Sequence, residues 1–507
     1  MYPHVLLRFS ALALVVWQST SQSADVASVV QRYVESHQRA IVSALVDLVS
    51  IPNVTADTEN IRRNAVHLRG MVQKRGFRTE VIETGGNPLV YGELTVPQAR
   101  RTLLIWAHYD GQPVDAKGWK QASPFIPVLR DRRLEDGAKL LEDVRKIEKF
   151  DPEWRLYGRS AADDKAPIVA LLAALDALKS AGVSPTSNIR IVLDGEEESG
   201  SPSLPAALRQ HRDKFAADLL LVFDGPVHQS GRPTVAFGIR GALGLELTVY
   251  GPKVGVHSGH YGSWVPNPGA RLAHLLASMR DDEGKVRVNG FYDGILPLAP
   301  DEQALLDSVP DDPASLMKLL GIGAPERHGL SLQQTLQLPS LNIRGLSSAY
   351  VGPDARTIIP DRAVAALEVR LVQETPPGPM AEKIRAHIRA QGYHLVESEP
   401  DDLTRARHAR IAKIVIRGGS NGYRTPPEAP ESKLVTKALA DMFGEQPVRI
   451  RTMGGTVPIS PFIEALDCPA ILLPTVNFDN NQHAENENIR LGHLFSGIRA
   501  IAAILTM

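Results

Sequence analysis

The chain of 507 residues has one cysteine, Cys468. That excludes an internal disulfide and any thiolate-rich metal site, so a bound metal must rely on histidine and carboxylate. The formal net charge is -1, from 56 Lys and Arg against 57 Asp and Glu. Such a balance argues against nucleic acid or an anionic membrane as partner. No apolar run after the N-terminus is long enough for a membrane span in the mature chain. No Walker-type phosphate loop is present. "GRSAA" only loosely mimics the G-x-S-x-G elbow of serine hydrolases, and an acidic pair follows it. No internal repeat is visible.

What is present begins with "MYPHVLLRFSALALVVWQSTSQSADV". Arg8 precedes an apolar run over 9–17, and small polar residues follow. This pattern predicts a signal peptide over residues 1–23, cleaved after Ser23. The mature protein is expected to be exported, either periplasmic or secreted. Hydrophobic residues make up 43% of the chain, enough to build real cores.

Several apolar runs end in a polar residue. "RTLLIWAH" stops at His108, "NIRIVLDGEEE" at three glutamates and "ADLLLVFDG" at Asp224; "CPAILLP" precedes His483 by a short loop. Continuous apolar runs suit strands buried on both faces, as in α/β sheets. After "DDKAP", Ile168, Leu171, Leu172, Leu175 and Leu178 share one helix face, with Pro167 in the first turn. Sites in open α/β sheets form at the carboxyl ends of strands, so these polar residues are expected to converge. The middle of the chain changes style. "GALGLELTVYG" alternates as a half-exposed antiparallel strand, "AVAALEVRLV" matches it, and "PNPGARLAHLLASM" reads as a helix between them. The fold class expected is α/β, with a mostly parallel catalytic sheet flanked by helices and an inserted α+β domain. The catalytic parts span 24–240 and 417–507, and the insert spans 241–416. "RGGSNGYRTPPEAPES" marks the return. The charged stretch at 130–153 is expected to be an exposed helical excursion.

The strand ends carry His108, Asp110, Asp163, Asp164, Glu197, Glu198, Asp224 and His483. One histidine or one DD pair alone is ordinary packing or a turn. Together they offer two imidazoles and several carboxylates, a donor set for zinc, manganese or cobalt. Crowded carboxylates such as Glu196, Glu197 and Glu198 raise one another's pKa and call for compensation, by solvent on a surface loop or by a cation. Spacing does not choose among the three.

The ordered motifs "HYDGQP", "GRSAADDK", "DGEEESG", "FDG", "GVHSGHYG", "RTIIP" with "VRLV", "GGTVP" and "QHAENE" resemble a known family. It comprises the co-catalytic di-zinc metallopeptidases: aminoacylases, glutamate carboxypeptidases and carnosinase-type dipeptidases. The resemblance implies two divalent metal ions, with zinc first and manganese or cobalt as alternatives. It assigns His108 and Asp224 to one ion, Glu198 and His483 to the other, and Asp163 to both. It implies that Asp110 orients His108 and that Glu197 is the general base. The inserted domain becomes a lid and dimerisation module of a homodimer. There, His257 stabilises the oxyanion of the neighbouring subunit's site and Arg370 binds the substrate carboxylate. Thr357, Gly455 and Thr456 line the substrate pocket. A cis Asp163–Asp164 peptide is implied as well. Ser160 and Ala166 depart from the family's glycines, and Met453 stands where an acid is frequent. The reaction implied is amide hydrolysis in a small peptide, of dipeptidase or carboxypeptidase type. The alternatives are an N-acyl amino acid deacylase and, in another class, a non-catalytic binding protein on the same fold.

Overall fold

A computed structural model describes residues 7–507 apart from 327 and 328, with side chains from residue 26 onward. The expected signal peptide, residues 1–23, lies outside the residues whose side chains are described. Among the described residues, no helix is long and apolar enough to cross a membrane.

Eight strands form the large sheet. Their order across it is Arg78–Ile82, Leu89–Leu94, Asn188–Asp194, Thr102–His108, Leu219–Val222, Ala470–Leu472, Thr234–Ala236 and Val448–Ile450. The centre is parallel: Thr102–His108 pairs in parallel with both Asn188–Asp194 and Leu219–Val222, which pairs in parallel with Ala470–Leu472. Antiparallel pairings enter at one edge and where Leu472 meets Ala236. The sheet is therefore mixed. The central strand shows why its sequence is a continuous apolar run. Leu103, Ile105 and Ala107 face one core cluster, and Leu104 and Trp106 face another. The first core is covered by helices Leu7–Val49, Lys165–Ser180, Pro430–Phe443 and Leu491–Leu505. Helix Lys165–Ser180 is buried on nearly every side, beyond the single face its spacing predicts. The other core lies under helices Leu204–Gln210 and Ser460–Leu466.

The inserted unit is a five-stranded sheet, in the order Ser340–Ser347, Arg362–Leu371, Gly241–Tyr250, Ile411–Ser420, His394–Val396. Leu243, Leu245, Leu247 and Val249 pack against helices Pro268–Met279 and Pro377–Ala390. Asn267 caps the first of these through the N–H groups of Gly269 and Ala270. The last long strand runs through Ser420, past the expected boundary at 416. The unit joins the main body through a two-stranded ribbon. Gly238 and Ile239 pair with Arg424 and Tyr423, and beyond them Ala242 pairs with Ser420. A side chain at Gly241 would meet Ser420 O at 2.3 Å, so the backbones cross too closely for any residue but glycine.

The charged stretch at 130–153 corrects an expectation. It starts at the end of the short strand Val128–Arg130 and holds the 3-10 turns Leu134–Asp136 and Val144–Lys146, and no α-helix. Gly137, with φ of 76°, breaks the helical run. Ion pairs Arg145–Asp47 and Arg39–Glu148 fasten the excursion to the N-terminal helix.

Candidate metal centre

The carboxyl ends of the parallel strands lie level, His108 opposite Asp194 and Trp106 opposite Val222. This register brings the polar ends together. His108 closes its strand. Glu197 and Glu198 occupy the 3-10 turn Glu197–Ser199 just after Asp194, and Asp224 follows Val222. Asp163 precedes helix Lys165–Ser180, and His483 lies in the loop after Ala470–Leu472.

Two groups of possible metal ligands result: His108, Asp163 and Asp224, and Asp163, Glu198 and His483. Asp163 belongs to both. Its Oδ1 lies 2.9 Å from His108 Nε2, and its Oδ2 lies 3.2 Å from His483 Nε2. Glu198 Oε2 lies 3.3 Å from His483 Nε2. Glu197 is in neither group; its Oε2 is 4.0 Å from His108 Nε2. Asp110 ties the centre together. Its Oδ1 lies 3.3 Å from His108 Nδ1 and accepts the Glu197 N–H at 3.0 Å. Its Oδ2 accepts the Glu198 N–H at 3.1 Å and the Thr55 hydroxyl at 2.7 Å. The Asp163–Asp164 peptide is cis.

The electrostatics call for positive charge. Burial, then the charge of Asp163, pushes Glu198 up to about 7. The same two causes push Asp224 up to about 6. Burial, with the charges of Asp224, Glu198 and Asp163, holds Glu197 well above the usual carboxylate range. Burial opposes a charged His108, but its interactions with the accepting carboxylates of Asp110 and Asp163 and the charge of Glu197 outweigh it and raise its pKa. Among the described residues no lysine or arginine pairs with these carboxylates; the imidazoles are their cationic partners.

Glu196 takes a supporting role, and three further supporting residues, Glu487, Gln112 and Gln482, escaped the sequence reading. Glu196 is buried, its carboxylate taking the N–H groups of Asn87 at 2.7 Å and Ser203 at 3.1 Å. Glu487 is fully buried against Arg159 at 2.8 Å. It accepts the N–H groups of Ser160, Ala162 and Asp163, each at 2.9 Å, so it fixes the backbone that presents Asp163. Gln112 donates to Glu198 at 2.7 Å, and Gln482 to Asp163 at 3.2 Å. The signal was available: Gln482 and Glu487 stand inside "QHAENE", where only the histidine was read. Ser160 sits at φ of 61°, in the left-handed region where glycine is at ease, and its hydroxyl accepts from Asn53 at 2.9 Å.

The other sequence candidates divide. Arg370 is half-buried and donates to Thr456 at 2.7 Å, and Thr456 donates to the Arg240 carbonyl at 2.8 Å. Thr456 lines a cavity of about 490 Å³ together with Glu197, Glu198 and His483. Gly455 is exposed beside it. His257 and Thr357 are exposed and do not line that cavity. They adjoin each other on the ribbon of Val256–His257 with Ile358–Ile359, where the Ser258 N–H meets Thr357 O at 3.2 Å.

Known proteins similar to this chain include metallopeptidases. A Cys-Gly metallodipeptidase of Schizosaccharomyces pombe is 24% identical over 488 residues, spanning 92% of this chain and 95% of that protein. The Beta-Ala-His dipeptidase of Homo sapiens is 24% identical over 498 residues, spanning 93% and 90%. The crystal structure of an M20 family metallo-carboxypeptidase from Sulfolobus solfataricus aligns with a TM-score of 0.76 and 26% identity, over 92% of this chain and 98% of that one. Residues 104–507 match the family described as peptidase family M20/M25/M40. That match takes in every ligand candidate named above, and the chain belongs to this family as a metal-dependent peptidase.

Proposed function

We propose that the protein is a dipeptidase that works with two divalent cations, zinc in the first place and manganese or cobalt as alternatives. One observation carries the reading: the two ligand groups share Asp163. The residues fit such ions. They offer nitrogen and oxygen donors without sulfur, and buried carboxylates whose mutual repulsion a cation relieves. His108 and Asp224 would hold one ion and Glu198 and His483 the other, with Asp163 serving both. When bound, the ions would supply Lewis acidity toward the scissile carbonyl and lower the pKa of a water.

The chain's own residues do the rest. Glu197 takes the proton of the attacking water on its carboxylate and returns it to the leaving nitrogen. Asp110 holds the His108 ring and the backbone of both glutamates in register. Arg370, a planar two-pronged donor, holds the substrate carboxylate beside Thr456 and Gly455.

His257 completes the site from a second subunit of a homodimer, with Thr357 beside it. Two observations favour this. His257 is exposed and away from its own chain's cavity. The Gly259 N–H bonds to its Nδ1, which makes Nε2 the protonated nitrogen of the neutral ring and turns a donor outward. Elsewhere on the inserted unit, Trp264 and Val351 are 81% and 86% exposed, and Leu346 is exposed on the edge strand Ser340–Ser347. Residues 1–23 are proposed as a removable export signal. Core packing by Val26, Val30 and Val34 would survive cleavage after Ser23. N-terminal sequencing of the protein from its natural host tests this, and an intact Met1 would overturn it.

The function is tested by assaying enzyme loaded with each metal against dipeptides and N-acyl amino acids. Turnover of dipeptides is expected. Turnover confined to N-acyl amino acids would replace the reading with a deacylase.

A further inference from the structure

Among the described residues, the cavity that holds Glu197, Glu198 and His483 has one more charged group on its wall, Glu464, and no lysine or arginine lines it. The first three belong to the metal centre proposed above. Glu464 belongs to nothing so far described. It is exposed on helix Ser460–Leu466, and its one hydrogen bond among the described residues comes from Asn421 Nδ2 to Oε1 at 3.3 Å. A contact of that length leaves most of the carboxylate's acceptor capacity free. Arg370, bonded to the lining residue Thr456 at 2.7 Å, also pairs with Glu368 at 3.0 Å. Much of the remaining wall is aliphatic. Pro205, Pro377 and Pro461 present rings and lack an N–H. A basic side chain suits such a wall: its methylenes lie along apolar surface and its charged tip reaches a carboxylate.

Resting on the dipeptidase reading, we propose that the preferred substrates are dipeptides with a basic side chain, whose cationic nitrogen is bound by Glu464. A charge-assisted hydrogen bond to a partly exposed carboxylate discriminates by roughly tenfold.

The test compares kcat/KM of the metal-loaded enzyme for Gly-Lys, Gly-norleucine and Gly-Glu, and for the same residues placed before glycine. At one of the two positions lysine is expected to exceed norleucine by roughly tenfold, with glutamate poorest. Glu464→Gln should bring the lysine-to-norleucine ratio close to one. Glu464→Lys should turn the preference toward glutamate, and Glu464→Asp should keep it for lysine. Metal content and melting temperature of each variant establish that the fold is intact. Titration calorimetry on metal-loaded Glu197→Gln reads the same contact without turnover: adding Glu464→Gln should weaken binding of the lysine dipeptide by roughly tenfold. A ratio that Glu464→Gln leaves within about twofold would overturn the inference while the dipeptidase reading stands. A loss in Glu464→Gln shared by all free dipeptides and absent for N-acetylated ones would overturn it too, giving Glu464 the terminal amine instead. Failure of all six dipeptides with both metals bound would overturn the underlying reading itself.

Discussion

At the scale of single residues, two neighbouring glutamates with separate tasks should separate in experiment. Glu197→Gln cannot accept a proton, so turnover should fall by about 10²–10⁴ while metal content, read by elemental analysis, stays at wild type. Near-normal turnover in fully loaded protein would remove Glu197 from the role of base. Gln482 is tested on the metal side. Its amide donates to Asp163 and its carbonyl accepts from Asn480 at 3.3 Å, so it is held at both ends. Gln482→Leu should weaken metal binding by roughly 10–100-fold in competition with a chromophoric chelator. Glu487 answers for stability. Glu487→Gln leaves Arg159 buried and unpaired, and breaking such a pair costs about 3–5 kcal/mol in urea unfolding. The ligand types were legible in the sequence because metal chemistry restricts them to His, Asp and Glu. Gln112 was not, because an amide bonded to a neighbour looks the same in sequence as one bonded to water; Gln482 and Glu487 stood inside a motif read only for its histidine.

Elements were legible where burial imposes a period. The strand Thr102–His108 reads as unbroken apolar residues because both of its faces are covered. Gly241–Tyr250 alternates because helices cover one face only. The stretch at 130–153 misled because its charges resemble a solvated helix, while Gly137 and pairing with Leu140 hold it irregular. The mixed pairing of the large sheet was hidden because pairing direction depends on distant partners and leaves no local period. Helix Lys165–Ser180 gives the sharpest contrast at this scale. Leu171→Ala, deep among helices, should cost about 2–5 kcal/mol. Val66→Ala, exposed on helix Thr58–Gln73, should stay within about 0.5 kcal/mol. Equal losses in denaturant titrations would contradict the burial described.

For the whole molecule, assembly and metal are the open couplings. If the proposed homodimer shares its sites, mixing inactive His257→Ala with inactive Glu197→Gln under subunit exchange should restore activity toward about one quarter of wild type, since half the dimers would then carry one intact site. No recovery after verified exchange would confine His257 to its own subunit or remove it from catalysis. Removing the metals leaves a knot of carboxylates without its cations, and binding energy lost to the native state lowers stability. With metal at a thousand times its dissociation constant the loss is about 4 kcal/mol, read as a fall in Tm that added zinc reverses. The two-stranded ribbon at Gly238–Ile239 and Tyr423–Arg424 has a consequence for descent. The insert leaves and rejoins the main body through adjacent strands, so the main body's chain is already a hairpin whose tip has been opened. Joining the two strand ends by a short turn would restore that hairpin and leave the eight-stranded sheet uncut. Residues from Gly241 to Ser420 are thus a cassette: a gene could gain, lose or exchange them in one event without rewiring the strands that carry the chemistry.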